Sequence, residues 1–147
     1  MKNKPILIVA GEPHSIFFEI FFKSIKKGVY KSPLILICCK KNFMTQMKKF
    51  KFRKKVRILD QKILDQEKID NSKINLIDIK LLNSNNKKLK LKLKLNYIER
   101  CFNLAFRLIK NGYTNKLING PINKKTFLNK KFLGITEYIA SKFNKKK

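Results

Sequence analysis

Short apolar runs alternate with longer segments of helical periodicity along this 147-residue chain. Residues 5–10 and 33–39 are almost continuously apolar, which is typical of strands buried on both faces of a parallel sheet. Residues 16–27 and 97–110 carry apolar side chains at the helical period, and residues 40–50 do so more weakly. This order predicts strands that are connected by helices.

Three shorter segments complete the predicted sheet, at residues 55–59, 74–79 and 116–119. Residues 60–70 are predicted as helix or loop. Because helical crossovers join parallel strands with a right-handed sense, we expect an α/β fold within a single domain, 1–147. Its sheet should be mostly parallel and doubly wound, with flanking helices, and its ligands should bind beyond the carboxyl ends of the strands.

Lysine and leucine alternate in residues 87–95, KKLKLKLKL. This period of two predicts an exposed antiparallel or edge strand whose lysines protect it from pairing with other chains. The functional alternative is a ribbon that binds polyanions.

The predicted helix at residues 16–27 is apolar on more than one face, since Phe18 and Phe22 widen its apolar surface. A single contact with a sheet cannot bury so wide a surface. We therefore expect either that another element sandwiches this helix or that it packs against a missing domain or subunit. The second possibility would make the chain a truncated portion of a larger two-domain α/β enzyme.

The formal net charge of +27 comes almost entirely from lysine, with only four arginines in the chain. Arginine is the residue that base reading and bidentate phosphate binding favour. The abundance of lysine, asparagine, isoleucine and phenylalanine is typical of a very AT-rich coding sequence. We therefore interpret the charge as compositional and do not expect nucleic acid as a partner, although selection for polyanion binding remains the alternative.

Three cysteines, Cys38, Cys39 and Cys101, lie in apolar segments. Their odd number and the adjacent pair make a disulfide framework improbable, so we interpret them as small core residues in a reducing, cytoplasmic protein. The chain has no apolar run of the length that a membrane span needs, and no membrane partner is expected.

Candidate site residues follow the first and last predicted strands. Glu12 lies in a strand-to-helix turn, where its carboxylate could cap the next helix or take part in a ligand cleft. Lys124 opens a helix after Gly120-Pro121, where it could meet a phosphate together with backbone N–H groups. In the turn at Gly134 the backbone could approach a ligand, and Thr136 could cap the helix that follows. His14, the single histidine, is interpreted as incidental.

Three motifs carry a resemblance to a known family: Val9-Ala10-Gly11-Glu12-Pro13, Gly120-Pro121-Ile122-Asn123-Lys124 and Gly134-Ile135-Thr136-Glu137-Tyr138. In this order they resemble motifs of 4-hydroxythreonine-4-phosphate dehydrogenase, an NAD-dependent enzyme of pyridoxine (vitamin B6) synthesis. The chain departs from the family at Ser15 and Phe17, where glycines are usual, and at Ile135, where the family has a substrate-binding histidine. Because the family's chains are much longer, the resemblance covers their N-terminal half only.

The resemblance implies oxidation of a phosphorylated hydroxy-amino acid by NAD, followed by loss of carbon dioxide, with a divalent metal held by histidines of the second half. By position, Thr136 matches a substrate contact, Ile135 takes the place of the histidine, and Asn123 and Lys124 match the Gly-Pro motif. No catalytic residue and no metal ligand is assigned to this chain, which is expected to be inactive alone. A homodimer or a missing C-terminal half would complete the site. The alternative is a non-catalytic remnant or basic binding module that meets polyanions such as nucleic acid.

Overall fold

The computed structural model describes residues 3–144, so residues 1–2 and 145–147 of the predicted domain lie outside it. Five strands and five α-helices follow one another in the described part: β1 Ile6–Val9, α1 Phe17–Lys27, β2 Leu34–Cys38, α2 Lys40–Lys49, β3 Val56–Ile58, β4 Ile74–Asp78, α3 Lys87–Lys110, β5 Lys116–Asn119, α4 Lys124–Phe127 and α5 Ile135–Phe143. A single 3₁₀ turn at Leu64–Gln66 lies within the segment that was predicted as helix or loop.

The five strands form one parallel sheet in the order β3-β4-β2-β1-β5. The central strand β1 pairs with β2 on one side and β5 on the other, so that Ile6 lies level with both Leu34 and Lys116. All four strand pairs are parallel. The prediction of an α/β fold with a mostly parallel sheet is thus confirmed.

Helices cover both faces of this sheet, because alternate residues of each strand point to opposite sides. On one face, Ile8 and Leu36 pack with buried residues of α1 and α2. On the other face, Leu7 and Ile35 pack with buried residues of α3 and with Tyr138 of α5. The sheet is therefore doubly wound, as expected.

The phenylalanines of α1 pack against other elements of this chain. Phe22 stacks on Phe52 with ring centroids 4.6 Å apart, and Phe18 meets Phe43 of α2 edge to face. Of the two possibilities left open for this helix, sandwiching by another element accounts for these rings. Ile16 and Ile20, at the start of the helix, remain exposed.

The predicted edge strand at residues 87–95 is wrong, because these residues form the first turns of α3. Lysine and leucine are unbranched at Cβ and favour helix over strand, so the alternation of polarity did not determine the backbone. Asn86 caps the helix, and its Oδ1 accepts a hydrogen bond from the Leu89 N–H at 3.0 Å. The edges of the sheet are β3 and β5.

The three cysteines are buried and free, in agreement with their interpretation as core residues. Burial raises the pKa of the Cys101 thiol to about 12 and that of the Cys38 thiol well above its ordinary value. Both thiols are therefore protonated at neutral pH. No helix within residues 3–144 is long and apolar enough to cross a membrane.

Candidate binding clefts at the carboxyl edge of the sheet

The carboxyl edge of the sheet has two places where neighbouring strands send the chain to opposite faces. β1 and β2 lead into α1 and α2 on one face, whereas β4 and β5 lead into α3 and α4 on the other. Because β1 lies beside β5 and β2 lies beside β4, both pairs diverge at their carboxyl ends. Such switch points are where open α/β sheets bind ligands.

At the first switch point the Gly11 turn (residues 11–15) and the Gly120 turn (residues 120–123) interlock. The Gly120 N–H donates to the Val9 carbonyl at 2.7 Å, and the Glu12 N–H donates to the Pro121 carbonyl at 2.8 Å. A Cβ at Gly120 would lie 2.0 Å from the Ala10 carbonyl oxygen. Gly11 has φ +79°, and a Cβ there would lie 2.3 Å from the Pro121 carbonyl oxygen. Both glycines are therefore required by the contact between the turns.

The Glu12 carboxylate joins three elements at this edge. Its Oε1 accepts a hydrogen bond from the Asn123 N–H at 3.2 Å, and its Oε2 pairs with the Lys94 ammonium of α3 at 3.0 Å. The helix that follows begins only at Phe17, where the Ser15 hydroxyl accepts from the backbone N–H. Glu12 does not cap α1, so the capping interpretation is wrong. Its carboxylate positions the Gly120 turn.

Asn123 and Lys124 lie at the start of α4, which is a single turn of helix. The Asn123 Oδ1 caps it by accepting from the Thr126 N–H at 3.2 Å. Lys124 is exposed. The structure thus brings Glu12 and Asn123 into direct contact and places Lys124 beside them.

The Gly134 turn (residues 129–134) leads into α5, whose first residue is Ile135. Ile135 is partly buried against the hydrophobic core, whereas Thr136 is exposed. Gly134 is the N-cap residue, so the expectation that Thr136 caps the helix is wrong. The Glu137 carboxylate accepts from the Leu133 N–H at 2.9 Å instead. Within residues 3–144, no hydrogen bond joins Thr136 to Glu12 or to Asn123.

Replacing Glu137 by alanine should lower the free energy of unfolding by about 0.5–1 kcal/mol, because the Leu133 N–H loses its acceptor and the helix start loses a negative charge. The matched change Thr136→Ala should alter it by less than about 0.5 kcal/mol, since an exposed side chain that caps nothing is removed. Urea denaturation of both variants measures the difference. A larger loss for Thr136→Ala would restore its capping role.

At the second switch point a cleft of about 260 Å³ opens between β2 and β4. We call it the lysine cleft; it is lined by Pro13, His14, Cys39, Lys41, Asn42, Thr45, Leu81, Leu82, Asn83, Lys90 and Lys94. The Asn42 amide donates to the Pro13 carbonyl at 2.8 Å and ties α2 to the Gly11 turn. His14 therefore belongs to a concave surface rather than to an isolated turn.

Solved structures share this arrangement of strands and helices. The chain superposes on 4-hydroxythreonine-4-phosphate dehydrogenase from Klebsiella pneumoniae with a TM-score of 0.75 and 24% sequence identity. It superposes on 4-hydroxythreonine-4-phosphate dehydrogenase from Burkholderia phymatum with a TM-score of 0.71 and 21% identity. Over its own length the chain shares the fold of the matching part of these dehydrogenases. No protein-family model and no curated protein sequence matches it.

The match covers a larger share of this chain than of the two dehydrogenases. It extends over 95% of this chain but only 44% of the Klebsiella chain and 43% of the Burkholderia chain. The chain thus spans less than half the length of these dehydrogenases, and the likeness establishes a shared fold over that part.

The donor groups of the chain do not fit the divalent metal that the sequence resemblance implies. Within residues 3–144 no group of three or more His, Cys, Asp or Glu side chains could hold a metal ion. The chain has one histidine, and its three cysteines are buried in the core.

The turns also offer no cradle for a dinucleotide. The space beside Gly11 and Gly120, where a glycine-rich loop would approach a pyrophosphate, is filled by the backbone of the opposite turn. We therefore assign no residue of this chain to NAD.

Sequence reasoning missed Lys41, Lys90 and Lys94 as residues of a cleft. A signal for the last two existed, because residues four apart lie on one face of a helix. It was hidden by the interpretation of residues 87–95 as a strand.

Proposed function

We propose that this chain supplies one part of the substrate site of a 4-hydroxythreonine-4-phosphate dehydrogenase of the pyridoxine pathway. One observation carries the proposal: the fold of such dehydrogenases is present over 95% of the chain. The first two motifs of the sequence resemblance include Gly11 and Gly120, whose turns are in direct contact, and the third begins at Gly134 and continues into α5. In this proposal, the bound substrate transfers a hydride to NAD and then loses carbon dioxide.

Within this proposal the chain binds and orients the phosphorylated hydroxy-amino acid. Lys124, exposed at the Gly120 turn, is suited to meet the anionic substrate, while Glu12 holds that turn in place through the Asn123 N–H. Thr136 offers an exposed hydroxyl that no capping bond uses. The metal and NAD sites belong to a second part, supplied by further sequence or by a partner subunit, and no step through either is assigned to this chain.

Ile135 provides the test, because an aliphatic side chain cannot form the hydrogen bond that a histidine would offer the substrate. In a chimaeric enzyme in which this chain replaces the matching part of the Klebsiella dehydrogenase, Ile135→His should strengthen binding of 4-phosphohydroxy-threonine by about 0.5–1.5 kcal/mol. Titration calorimetry on the folded chimaera measures this.

Leu133→His is the matched control, since Leu133 lies two residues before Ile135, in the Gly134 turn, with 87% of its surface exposed. It should leave binding unchanged. Equal affinities for the Ile135→His and parent chimaeras would mean that the start of α5 is not part of the substrate site.

A polyanion-binding module is the second candidate, favoured by the net charge of +27 and by the exposed lysines at the start of α3. Under the compositional interpretation, binding to duplex DNA should be weak, independent of sequence and steeply reduced by salt, because only counterion release drives it. Filter-binding or fluorescence-anisotropy titrations at several salt concentrations measure this affinity. Sequence-selective binding that resists salt would favour the binding module over the dehydrogenase.

A further inference from the structure

The lysine cleft lies at a switch point separate from the one where the Gly11 and Gly120 turns meet. It opens between the carboxyl ends of β2 and β4, with α2 on one side and the first turns of α3 on the other. Its position follows from the topology, since β2 leads into a helix on one face and β4 into a helix on the other. Switch points of this kind form crevices that bind ligands.

Hydrogen bonds fix the start of α2 against α3 and β4, which border the cleft. The Cys39 N–H at the start of α2 donates to the Tyr97 hydroxyl of α3 at 2.8 Å. The next N–H, of Lys40, donates to the Asp78 carboxylate at 2.8 Å. Because Tyr97 is 1% exposed, the contact between α2 and α3 is fixed from inside the core. The cleft is therefore a preformed feature of the fold.

The lining combines an apolar floor with a cationic rim. Pro13, Cys39, Leu81 and Leu82 provide apolar surface, and Asn42 and Asn83 add amide groups. Lys41, Lys90, Lys94 and His14 lie around it, and none of the residues that line the cleft is acidic.

The positive charges at the rim are not all available to a ligand. Lys94 is paired with the Glu12 carboxylate at 3.0 Å, which offsets its charge. Lys41 and Lys90 have no carboxylate within salt-bridge distance among residues 3–144. They enter the cleft from opposite walls, α2 and α3. Two lysines from different helices, lining a cleft that is partly apolar, favour an anion that carries an apolar group.

We propose that the lysine cleft binds a small organic anion, a phosphate monoester or carboxylate attached to an apolar ring or chain. Its anionic group lies between Lys41 and Lys90, and its apolar part covers Leu81 and Leu82. The size agrees, because a cavity of about 150 Å³ holds benzene, and the cleft measures about 260 Å³. This site adjoins the proposed substrate site, since Pro13 and His14 of the Gly11 turn line the cleft and Lys94 pairs with Glu12. The groups that contact the anion and its apolar part, Lys41, Lys90, Leu81 and Leu82, lie outside the Gly120 and Gly134 turns.

Phenyl phosphate is the probe, and inorganic phosphate and benzyl alcohol are its anionic and neutral counterparts. In a ¹H–¹⁵N NMR titration of the whole chain at fixed ionic strength, phenyl phosphate should shift the amide signals of Lys41, Asn42 and Asn83. It should bind about tenfold more tightly than inorganic phosphate, because the ring buries apolar surface. Benzyl alcohol should bind more weakly than phenyl phosphate by a similar factor.

Matched charge variants distinguish binding at this site from a general attraction of anions to the positively charged surface. Lys41→Gln with Lys90→Gln should weaken phenyl phosphate binding about tenfold or more, as expected for lost charge-assisted hydrogen bonds. Lys88→Gln with Lys92→Gln removes the same charge from the opposite side of α3 and should change affinity less than about twofold. All four lysines are exposed, and melting curves confirm that the variants fold.

Three results would overturn the proposal. The first is an equal loss of affinity in both double variants, which would mean a diffuse electrostatic attraction. The second is inorganic phosphate binding as tightly as phenyl phosphate, which would mean that the apolar floor contributes nothing. The third is the absence of shifts at the residues of the cleft.

Discussion

Replacing Gly120 by alanine is expected to lower the free energy of unfolding by about 3 kcal/mol, the upper end of the range for overpacked sites. The added Cβ would lie 2.0 Å from the Ala10 carbonyl oxygen and 2.8 Å from a ring carbon of Phe17. The first of these atoms belongs to the backbone beyond the central strand and cannot turn away as a side chain can. The two turns must separate, and the 2.7 Å bond from the Gly120 N–H to the Val9 carbonyl is strained or lost.

Gly134→Ala is the matched control for this substitution. A Cβ at Gly134 meets no heavy atom within 4 Å, and its φ of −160° is extended backbone that any residue adopts. We expect a change of less than about 0.5 kcal/mol in the free energy of unfolding, measured by urea denaturation. Similar losses in Gly120→Ala and Gly134→Ala would show that the Gly11 and Gly120 turns do not interlock as described.

Much of the fold could be predicted because the central strands carry an unambiguous signal. Residues 5–10 and 33–39 contain no charged residue, and only a strand covered on both faces needs such a run. The structure places β1 and β2 within these segments and covers them on both sides. The helices that follow were predicted to within one residue at each end, since their apolar residues keep the helical period against a single face of the sheet.

The first turns of α3 could not be predicted from polarity alone. In a helix, the leucines of residues 87–95 spread over several directions, and Leu89 and Leu91 remain exposed. A period of two identifies a strand only when one face is buried, and no sheet covers this segment. The Asn86 cap and side chains that are unbranched at Cβ were the local signals that favoured helix.

Part of the candidate site could be predicted from the positions of glycines after the predicted strands. Two glycine turns at the carboxyl ends of parallel strands were expected to lie at one edge, but their direct contact requires β1 and β5 to be neighbours, which periodicity does not determine. The Glu12–Lys94 pair joins residues that are distant in the chain, and it depends on the helical state of α3. The substrate roles of Thr136, Ile135, Asn123 and Lys124 stay predictions.

The isolated chain is expected to reduce no NAD above background when given 4-phosphohydroxy-threonine and a divalent metal. The physical reason is its donor set: residues 3–144 contain no group of three or more His, Cys, Asp or Glu side chains that could hold the ion. The chimaera described above restores the remaining length of the Klebsiella dehydrogenase, of which this chain matches 44%. Substrate-dependent NADH formation should return in the chimaera and should weaken when Glu12→Gln removes the charge that pairs with Lys94 and holds the Gly120 turn.

NADH absorbance under identical conditions, for the isolated chain, the chimaera and the parent Klebsiella enzyme, is the most direct measurement of the proposed function. We predict no turnover for the isolated chain and measurable turnover for the chimaera, below that of the parent because Ile135 cannot form the hydrogen bond that a histidine would offer the substrate. Turnover by the isolated chain, or a folded chimaera that forms no NADH even with Ile135→His, would contradict the assignment of this chain to the substrate site of such a dehydrogenase.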